Sequence, residues 1–157
     1  NIYSLLKTEN GCLWIGTEKG VFIYEDSTLK QTDFHIAETS VMWMLEDSKK
    51  RIWITSWENG VYCIDDNQCY HFNTEDGLEN NVVMNIFEDH LGNVMFGTMD
   101  GIYQIKSDFD PDHANVTKIN IPGLTNPMTF SIVQDREKNY WFGDNKKGTI
   151  RYHPDLP

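Results

Sequence analysis

The 157-residue sequence lacks several features that mark common classes of protein. It has no apolar run near the ~20 residues of a transmembrane helix, and no basic segment followed by an apolar one at its N-terminus. Positive charge is scarce, since 13 Lys and Arg stand against 24 Asp and Glu, for a formal net charge of −11. Such a field repels phosphate backbones and anionic lipid, so we expect neither nucleic acid nor a membrane as a partner of this segment.

Cysteine is scarce as well. Cys12, Cys63 and Cys69 are too few for a disulfide framework, and their odd number leaves at least one unpaired. Cys63 and Cys69 flank a turn-like segment, so a hairpin disulfide, or a soft metal site together with His71, are the alternatives to buried strand thiols. We expect buried thiols, with no metal and no cofactor.

Aromatic residues are abundant, at 13% of the chain, which favours pleated sheets. Self-comparison shows four segments that align without a gap, and each ends in a large anchor residue. The segments are 4–14, 43–53, 85–95 and 131–141, with the anchors Trp14, Trp53, Met95 and Trp141. The anchors are roughly 40 residues apart, a period typical of solenoids and propellers.

A glycine follows each anchor by six or seven residues, where a tight turn between strands needs a positive φ. These glycines are Gly20, Gly60, Gly101 and Gly148, and each precedes another short β-type run. Each repeat therefore predicts four antiparallel strands, a to d, with strand d ending near Phe34, Phe72 or Ile121. Apolar runs of four to six residues are too short for helical repeats.

The predicted fold is an all-β propeller segment of four blade repeats, each of about four antiparallel strands. The repeats are expected at about 1–38, 39–80, 81–126 and 127–157, in a single segment covering 1–157, with the last blade incomplete. A ring of seven blades needs roughly 280 residues, so we expect a fragment of a larger propeller whose remaining blades are partners. Uncovered faces then predict a homodimer.

Acidic residues recur at the end of strand a, at Asp47, Asp89 and Asp135, with Thr8 in the first repeat. Asp at the start of a tight turn accepts hydrogen bonds from backbone N–H groups, so we interpret these residues as turn caps and not as catalytic groups. The tryptophan anchors are interpreted as core residues between blades. The acidic run 108–112 lacks the Gly and Glu of a calcium loop and predicts a solvated insertion.

Two repeats and one connector carry a family signature. Segment 10–17 reads Asn-Gly-Cys-Leu-Trp-Ile-Gly-Thr, segment 88–98 closes on Gly-Asn-Val-Met-Phe-Gly-Thr, and segment 76–83 reads Asp-Gly-Leu-Glu-Asn-Asn-Val-Val. The chain resembles the two-component regulator propeller family in these motifs. It departs from the signature in the second repeat, where Thr55 stands for Gly, and in the fourth, where Asp144 stands for Thr.

The resemblance implies a role in sensing. Propellers of this family resemble the extracytoplasmic sensor region of hybrid histidine kinases, which implies a periplasmic location and an oligosaccharide ligand. No kinase sequence is present, so we expect recognition and no enzyme activity in this chain. The alternatives are a segment that only completes a larger propeller and, from another class, a propeller lyase or glycosidase, which needs two carboxylates or a supported His at a cleft.

The expected strand order brings the b–c turns and the connections between repeats to one end of the propeller, where loops carry function. Trp57 lies in such a loop, and Trp43 takes a strand-a position that is Ser4, Asn85 or Ser131 elsewhere. A packing role for both tryptophans remains the alternative. The predicted ligand-binding residues are Trp43, Trp57, Glu58, Asn59, Asn80, Asn81, Asn145 and Lys146, with no catalytic residue.

Overall fold

The computed structural model describes residues 1–34, 36, 39–110, 116–124, 128–144 and 148–154, with Asp144 described by its backbone alone. Within these ranges the regular elements are strands, and no helix is long and apolar enough to cross a membrane. The strands are β1 Ile2–Lys7, β2 Leu13–Thr17, β3 Gly20–Glu25, β4 Thr28–Gln31, β5 Val41–Glu46, β6 Ile52–Ser56, β7 Val61–Asp65, β8 Gln68–Phe72, β9 Val83–Glu88, β10 Val94–Thr98, β11 Ile102–Ile105, β12 Thr117–Ile119, β13 Thr129–Gln134, β14 Tyr140–Asp144 and β15 Gly148–Tyr152.

The strands form four antiparallel sheets of consecutive strands, which confirms the predicted all-β propeller architecture. Sheet 1 is β1–β4, sheet 2 is β5–β8, sheet 3 is β9–β12 and sheet 4 is β13–β15. The first strand of each sheet contacts the first strand of the next, so β1, β5, β9 and β13 lie innermost. The expected extents of strand d were too long for β4, which ends at Gln31, and for β12, which ends at Ile119.

The turn after the first strand has the predicted carboxylate cap in sheets 2, 3 and 4, while Thr8 takes this position in sheet 1. Oδ1 of Asp47 accepts the backbone N–H groups of Lys49 and Arg51, both at 2.9 Å. Oδ2 of the same carboxylate accepts the indole N–H of Trp53 at 2.7 Å, a contact that the sequence reasoning missed. The cap therefore fixes both the turn and the anchor residue six positions later.

The fourth sheet repeats this arrangement. Oδ1 of Asp135 accepts the backbone N–H groups of Glu137 and Asn139 at 2.9 Å, and Oδ2 accepts the indole N–H of Trp141 at 2.7 Å. The Trp141 indole, followed by the Asn139 hydrogen bonds, holds the pKa of Asp135 below its usual value. The recurring spacing of Asp and Trp is thus a structural rule of these sheets.

The glycine turns between the second and third strands take the positive φ that the sequence predicts. Gly60 has a φ of 73°, and a Cβ at this position would clash with the carbonyl oxygen of Phe72. Gly101 has a φ of 148°. Glycine is needed at position 60 because the end of β8 and the residue after it pass directly over the β6–β7 turn.

The core lies between neighbouring sheets, in three clusters. Trp53 packs with Phe72 and with Val83 and Phe96 of sheet 3, and is fully buried. Trp14 packs against Ile54 of sheet 2 in the same manner. The predicted core role of these anchors is confirmed, and burial of each stabilises the fold by roughly 1.5–3 kcal/mol.

Trp141 departs from that prediction. It is half-buried, because it lies on the face of sheet 4 that no other described sheet covers. The opposite face of sheet 4, with Phe142 and Ile132, packs on Met95 of sheet 3. The position of an anchor residue in its repeat therefore determines which face of the sheet its side chain lies on. Whether the side chain is buried depends on whether another sheet covers that face.

The structure also decides among the cysteine alternatives. Cys63 lies opposite Tyr70 and Cys69 opposite Ile64, so the two side chains point to opposite faces of sheet 2. A bridge between them is therefore excluded, and all three cysteines are free. Cys63 is buried against sheet 3, and this burial raises the pKa of its thiol far above the usual value.

The predicted solvated insertion at 108–112 needs a correction. Its Phe109 is half-buried, and its ring centroid lies 5.6 Å from that of Trp53 and 5.7 Å from that of Phe72. The guanidinium carbon of Arg51 lies 4.9 Å from the Phe109 ring. The connection between β11 and β12 thus contributes an aromatic plug to the junction of sheets 2 and 3; Pro111 and Asp112 lie outside the described residues.

Candidate functional site

One end of the sheets carries the β2–β3, β6–β7 and β10–β11 turns together with the connections between sheets, and is here named the loop end. Backbone hydrogen bonds join these segments. Trp57 donates its N–H to the Ser40 carbonyl at 3.0 Å, and Gly60 donates to the Asn81 carbonyl at 2.8 Å. The β6–β7 turn is therefore held between the connection that enters sheet 2 and the connection that leaves it.

Three predicted site residues lie in that turn. Trp57 has 43% of its surface exposed, and Glu58 is also exposed. Asn59 is half-buried; its backbone N–H donates to Oγ of Ser56 at 2.9 Å, and its carbonyl oxygen lies 2.5 Å from Nε2 of His71. The turn is thus pinned through Asn59, while Trp57 and Glu58 face solvent.

Asn80 and Asn81 belong to the connection that leaves sheet 2, and both are half-buried. Oδ1 of Asn80 accepts the backbone N–H of Val82 at 2.7 Å, and Oδ1 of Asn81 accepts the N–H of Thr74 at 3.0 Å. These amides therefore shape the connection beside the turn, as Asx side chains commonly do. Their amide nitrogens make no hydrogen bond to another described residue.

Trp43 lies on the innermost strand of the same sheet and is 52% exposed. In the other three sheets the residue at this position is Ser4, Asn85 or Ser131, and its side chain lies against a glycine of the second strand. A Cβ on Gly97 would come within 2.8 Å of Nδ2 of Asn85, and one on Gly143 within 2.5 Å of Oγ of Ser131. The side chain of the first strand can therefore occupy this place only when the residue opposite it on the second strand is glycine.

Sheet 2 has Thr55 at the glycine position, and Thr55 is fully buried. Its Oγ1 accepts the backbone N–H of Trp43 at 3.1 Å. Since the threonine side chain occupies the space that is free in the other sheets, the indole of Trp43 lies outside the core. The sequence contains this signal as a paired exchange, Gly to Thr and a small polar residue to Trp, and the register that places Trp43 opposite Thr55 connects the two changes.

His71, which the sequence suggested only as a member of an alternative metal site with the cysteines, takes part in the structure of this end of sheet 2. Its ring stacks on Tyr62 with centroids 4.3 Å apart and planes 6° apart, and its Nε2 contacts the Asn59 carbonyl. The exposed edge of sheet 2 is thereby connected to the loop end. Only the strand register, which places Tyr62 opposite His71, could have revealed this pair.

The structure brings Trp57, Glu58, Asn59, Asn80 and Asn81 to one side of sheet 2, with Trp43 on its inner strand. Asn145 and Lys146 lie outside the described residues. An exposed indole offers an apolar face, while carboxylate and amide groups offer hydrogen-bond acceptors and donors. Such a combination binds a ligand that has both apolar faces and hydroxyl groups.

The model of the family described as two component regulator propeller matches residues 1–19. The resemblance seen in the repeats is thereby confirmed at the start of the chain. No curated protein matches the sequence. Solved structures, in contrast, match over nearly the whole chain.

Two similar structures are extracellular domains, described as parts of hybrid two component systems from B. thetaiotaomicron. The first is 22% identical with a TM-score of 0.83 and aligns over 99% of this chain and 21% of its own length. The second is 20% identical with a TM-score of 0.80 and aligns over 98% and 24%. Virginiamycin B lyase from Staphylococcus aureus is 13% identical, with a TM-score of 0.72 over 99% of this chain and 56% of the lyase. The chain thus shares the propeller fold with all three and spans about a quarter or less of the two extracellular domains.

Proposed function

We propose that this chain is a ligand-recognition segment of a periplasmic sensor of the two-component type, and that its ligand is an oligosaccharide bound at the loop end of sheet 2. The family match at residues 1–19 and the likeness to extracellular domains of such systems support the sensor role. The observation that carries the ligand assignment is the exposure of two tryptophans, Trp43 and Trp57, on one sheet.

An exposed indole contributes less to the stability of the fold than a buried one, because a large aromatic side chain stabilises a protein when it is removed from water. Trp53 and Trp14 show that this fold buries the tryptophans it uses for stability. Apolar CH faces of a sugar ring stack on an indole, and sugar hydroxyls pair with the Glu58 carboxylate and the free amide groups of Asn80 and Asn81. A neutral glycan is also compatible with the net charge of −11.

Binding without catalysis is part of this proposal. The recurring carboxylates Asp47 and Asp89 are buried and accept several hydrogen bonds from their own turns, so they are structural. The lyase similarity concerns the fold and identifies no residue of this chain. A segment that merely completes a larger propeller remains the competing function, and it would have no use for exposed indoles on the inner strand and the loop end.

The test is a screen of the protein on an array of plant, algal and host polysaccharide fragments, followed by affinity measurements with Trp43→Ala and Trp57→Ala. Each substitution is expected to weaken binding at least ~10-fold, as loss of a stacking aromatic does at binding sites, and to change the melting temperature little. Tyr24→Ala is the matched control, since Tyr24 is 45% exposed on sheet 1. An equal loss in Tyr24→Ala, or a loss of stability of ~3–5 kcal/mol in the tryptophan variants, would show that the site assignment is wrong.

A further inference from the structure

A cleft lies at the end of the sheets opposite the loop end, at the junction of sheets 3 and 4. Its volume is about 720 Å³. It is bounded by the β9–β10 turn, the start of the β11–β12 connection, the β13–β14 turn and the residues after β15. This end carries the other set of turns, so the cleft is separate from the loop end and does not depend on the function proposed for it.

Sheet 3, on one side of this junction, has a methionine at the anchor position that is tryptophan in the other three sheets. In sheets 2 and 4 the carboxylate of the turn accepts an indole N–H, whereas Met95 has no such group. Oδ2 of Asp89 instead accepts the hydroxyl of Tyr140, from the next sheet, at 2.9 Å. The Asp89 carboxylate is therefore joined to the next sheet and not to an anchor of its own sheet, and both Asp89 and Tyr140 border the cleft.

At the two preceding junctions the cationic side chains are bound by other residues of the protein. Between sheets 2 and 3, Arg51 lies between the rings of Trp53 and Phe109, and Nζ of Lys49 donates to the Ser107 carbonyl at 2.5 Å. Between sheets 1 and 2 a smaller cleft of about 390 Å³ contains Lys50, which forms an ion pair with Glu9. The cationic groups at both junctions thus have partners within the protein.

The lysines of the third junction differ. Lys106 and Lys138 border the cleft and are exposed, and neither forms an ion pair with another described residue. His90 lies beside them, with Nδ1 3.1 Å from Oε1 of Gln134. Against these groups stand Asp89 and Asp108, the two carboxylates that border the cleft.

The charge of Asp89 is compensated inside the protein. Oδ1 accepts the backbone N–H groups of Leu91 and Asn93, and Oδ2 accepts the Asn93 amide and the Tyr140 hydroxyl. Asp89 is only 5% exposed, so it offers no free acceptor to Lys106 or Lys138. The cleft therefore brings together two lysines that have no ion-pair partner among the described residues, beside one exposed carboxylate, Asp108.

We propose that this cleft binds an oxyanion, a carboxylate or phosphate group of a small ligand, between Lys106 and Lys138 with His90 at its margin. The two ammonium groups supply charge-assisted donors to such a group, and Gln104 and Ser107 at the cleft offer donors to its hydroxyls. The volume admits a group the size of a monosaccharide acid or a sugar phosphate.

The experiment is a titration of the 15N-labelled protein with inorganic phosphate and, separately, with galacturonate and galactose, all at constant ionic strength. Either anion is expected to shift the backbone amide signals of His90, Lys106 and Lys138 saturably below about 20 mM, and galactose to shift none of them. If only one of the two anions causes these shifts, that result shows whether the cleft binds a phosphate or a carboxylate group. Shifts from neither anion, or equal shifts from both sugars, overturn the proposal.

Lys106→Gln and Lys138→Gln are each expected to raise the dissociation constant of the bound anion about five-fold. Lys30→Gln is the control, because it removes the same charge from an exposed position on β4. Both lysines are exposed, so the variants keep the fold, which the dispersion of the same spectra verifies. A weakening by Lys30→Gln equal to that by the cleft variants would mean an unspecific charge effect and would contradict the site.

Discussion

At the scale of single residues, one exchange in a repeated position decides how two sheets are joined. Met95 leaves Asp89 without an indole partner, and Tyr140 of the following sheet supplies a hydroxyl instead. Tyr140 is nearly buried, so burial first and the Asp89 hydrogen bond second raise the pKa of its phenol well above the usual value. A contact within one sheet is thereby replaced by a contact between two.

We predict that Tyr140→Phe lowers the free energy of unfolding by about 1–3 kcal/mol, because a buried carboxylate loses a donor. Urea unfolding monitored by tryptophan fluorescence measures the change. Tyr152→Phe is the matched control, since its ring also packs at this junction and it makes no contact with Asp89. A loss below about 0.5 kcal/mol in Tyr140→Phe would contradict the role given to this hydroxyl.

The raised pKa of Tyr140 has a defined consequence for pH. Since the protonated phenol is favoured in the folded state, its contribution is fully present below about pH 10, the usual value for tyrosine, and is lost as the pH rises above it. The difference in unfolding free energy between the wild type and Tyr140→Phe is therefore expected to shrink between about pH 10 and pH 12. A constant difference over that range would be evidence against this titration.

At the scale of the strands, the first strands of sheets 2, 3 and 4 each end in a side chain that caps the turn of the preceding sheet. Glu46 accepts the backbone N–H of Glu9 at 2.7 Å, Glu88 accepts that of Ser48 at 2.9 Å, and Oε1 of Gln134 accepts that of His90 at 3.0 Å. The same hydrogen bond thus recurs at all three junctions. Lys7, at the equivalent position of β1, has no acceptor and cannot form it.

We predict that Glu88→Ala costs about 1 kcal/mol of unfolding free energy and that Glu88→Gln costs less than half of that. The reason is that Gln134 forms the equivalent contact with a neutral oxygen, so the hydrogen bond and not the charge carries the effect. Chemical denaturation of the two variants in parallel measures both values. Equal losses for Ala and Gln would show that charge dominates.

The sequence was sufficient to predict the strands and turns of each sheet, and insufficient to predict the contacts between neighbouring sheets. Glycine turns, Asp caps and anchor spacing are local signals, so the four sheets and their order were predicted correctly. Contacts between sheets depend on register and on the neighbouring face, which is why the plug of Phe109, the Tyr140 bond and the half-buried state of Trp141 were missed. Trp43 and Trp57 were singled out because they break the repeat, but the sequence could not show that Thr55 accounts for the exposure of Trp43.

At the scale of the whole molecule, the outer faces of sheets 1 and 4 are apolar and have no neighbouring sheet among the described residues. Leu5 and Leu29 on sheet 1 are 63% and 58% exposed, and Val133 on sheet 4 is 54% exposed. These faces correspond by register to those that pack between sheets at the three internal junctions. Exposed apolar faces of this kind drive association.

We therefore propose that the isolated chain self-associates, most simply as a homodimer that covers these faces. Light scattering at about 0.1 mM protein is expected to give a mass above that of the monomer, and Leu5→Glu to reduce it, because a charge on this face opposes burial. Leu91→Glu is the control, since Leu91 is 64% exposed at a turn of sheet 3. A monodisperse monomer of the wild type at this concentration would refute the proposal.

The most direct measurement of ligand recognition by the exposed indoles uses the five tryptophans as separate probes. Their indole N–H signals in a 15N spectrum, assigned by single Trp→Phe substitutions, are followed during addition of an oligosaccharide identified on the array. The account predicts that the signals of Trp43 and Trp57 shift with the same saturation, while those of Trp53 and Trp141, held by Asp47 and Asp135, remain in place. Shifts confined to Trp14, Trp53 or Trp141 would contradict recognition at the loop end of sheet 2.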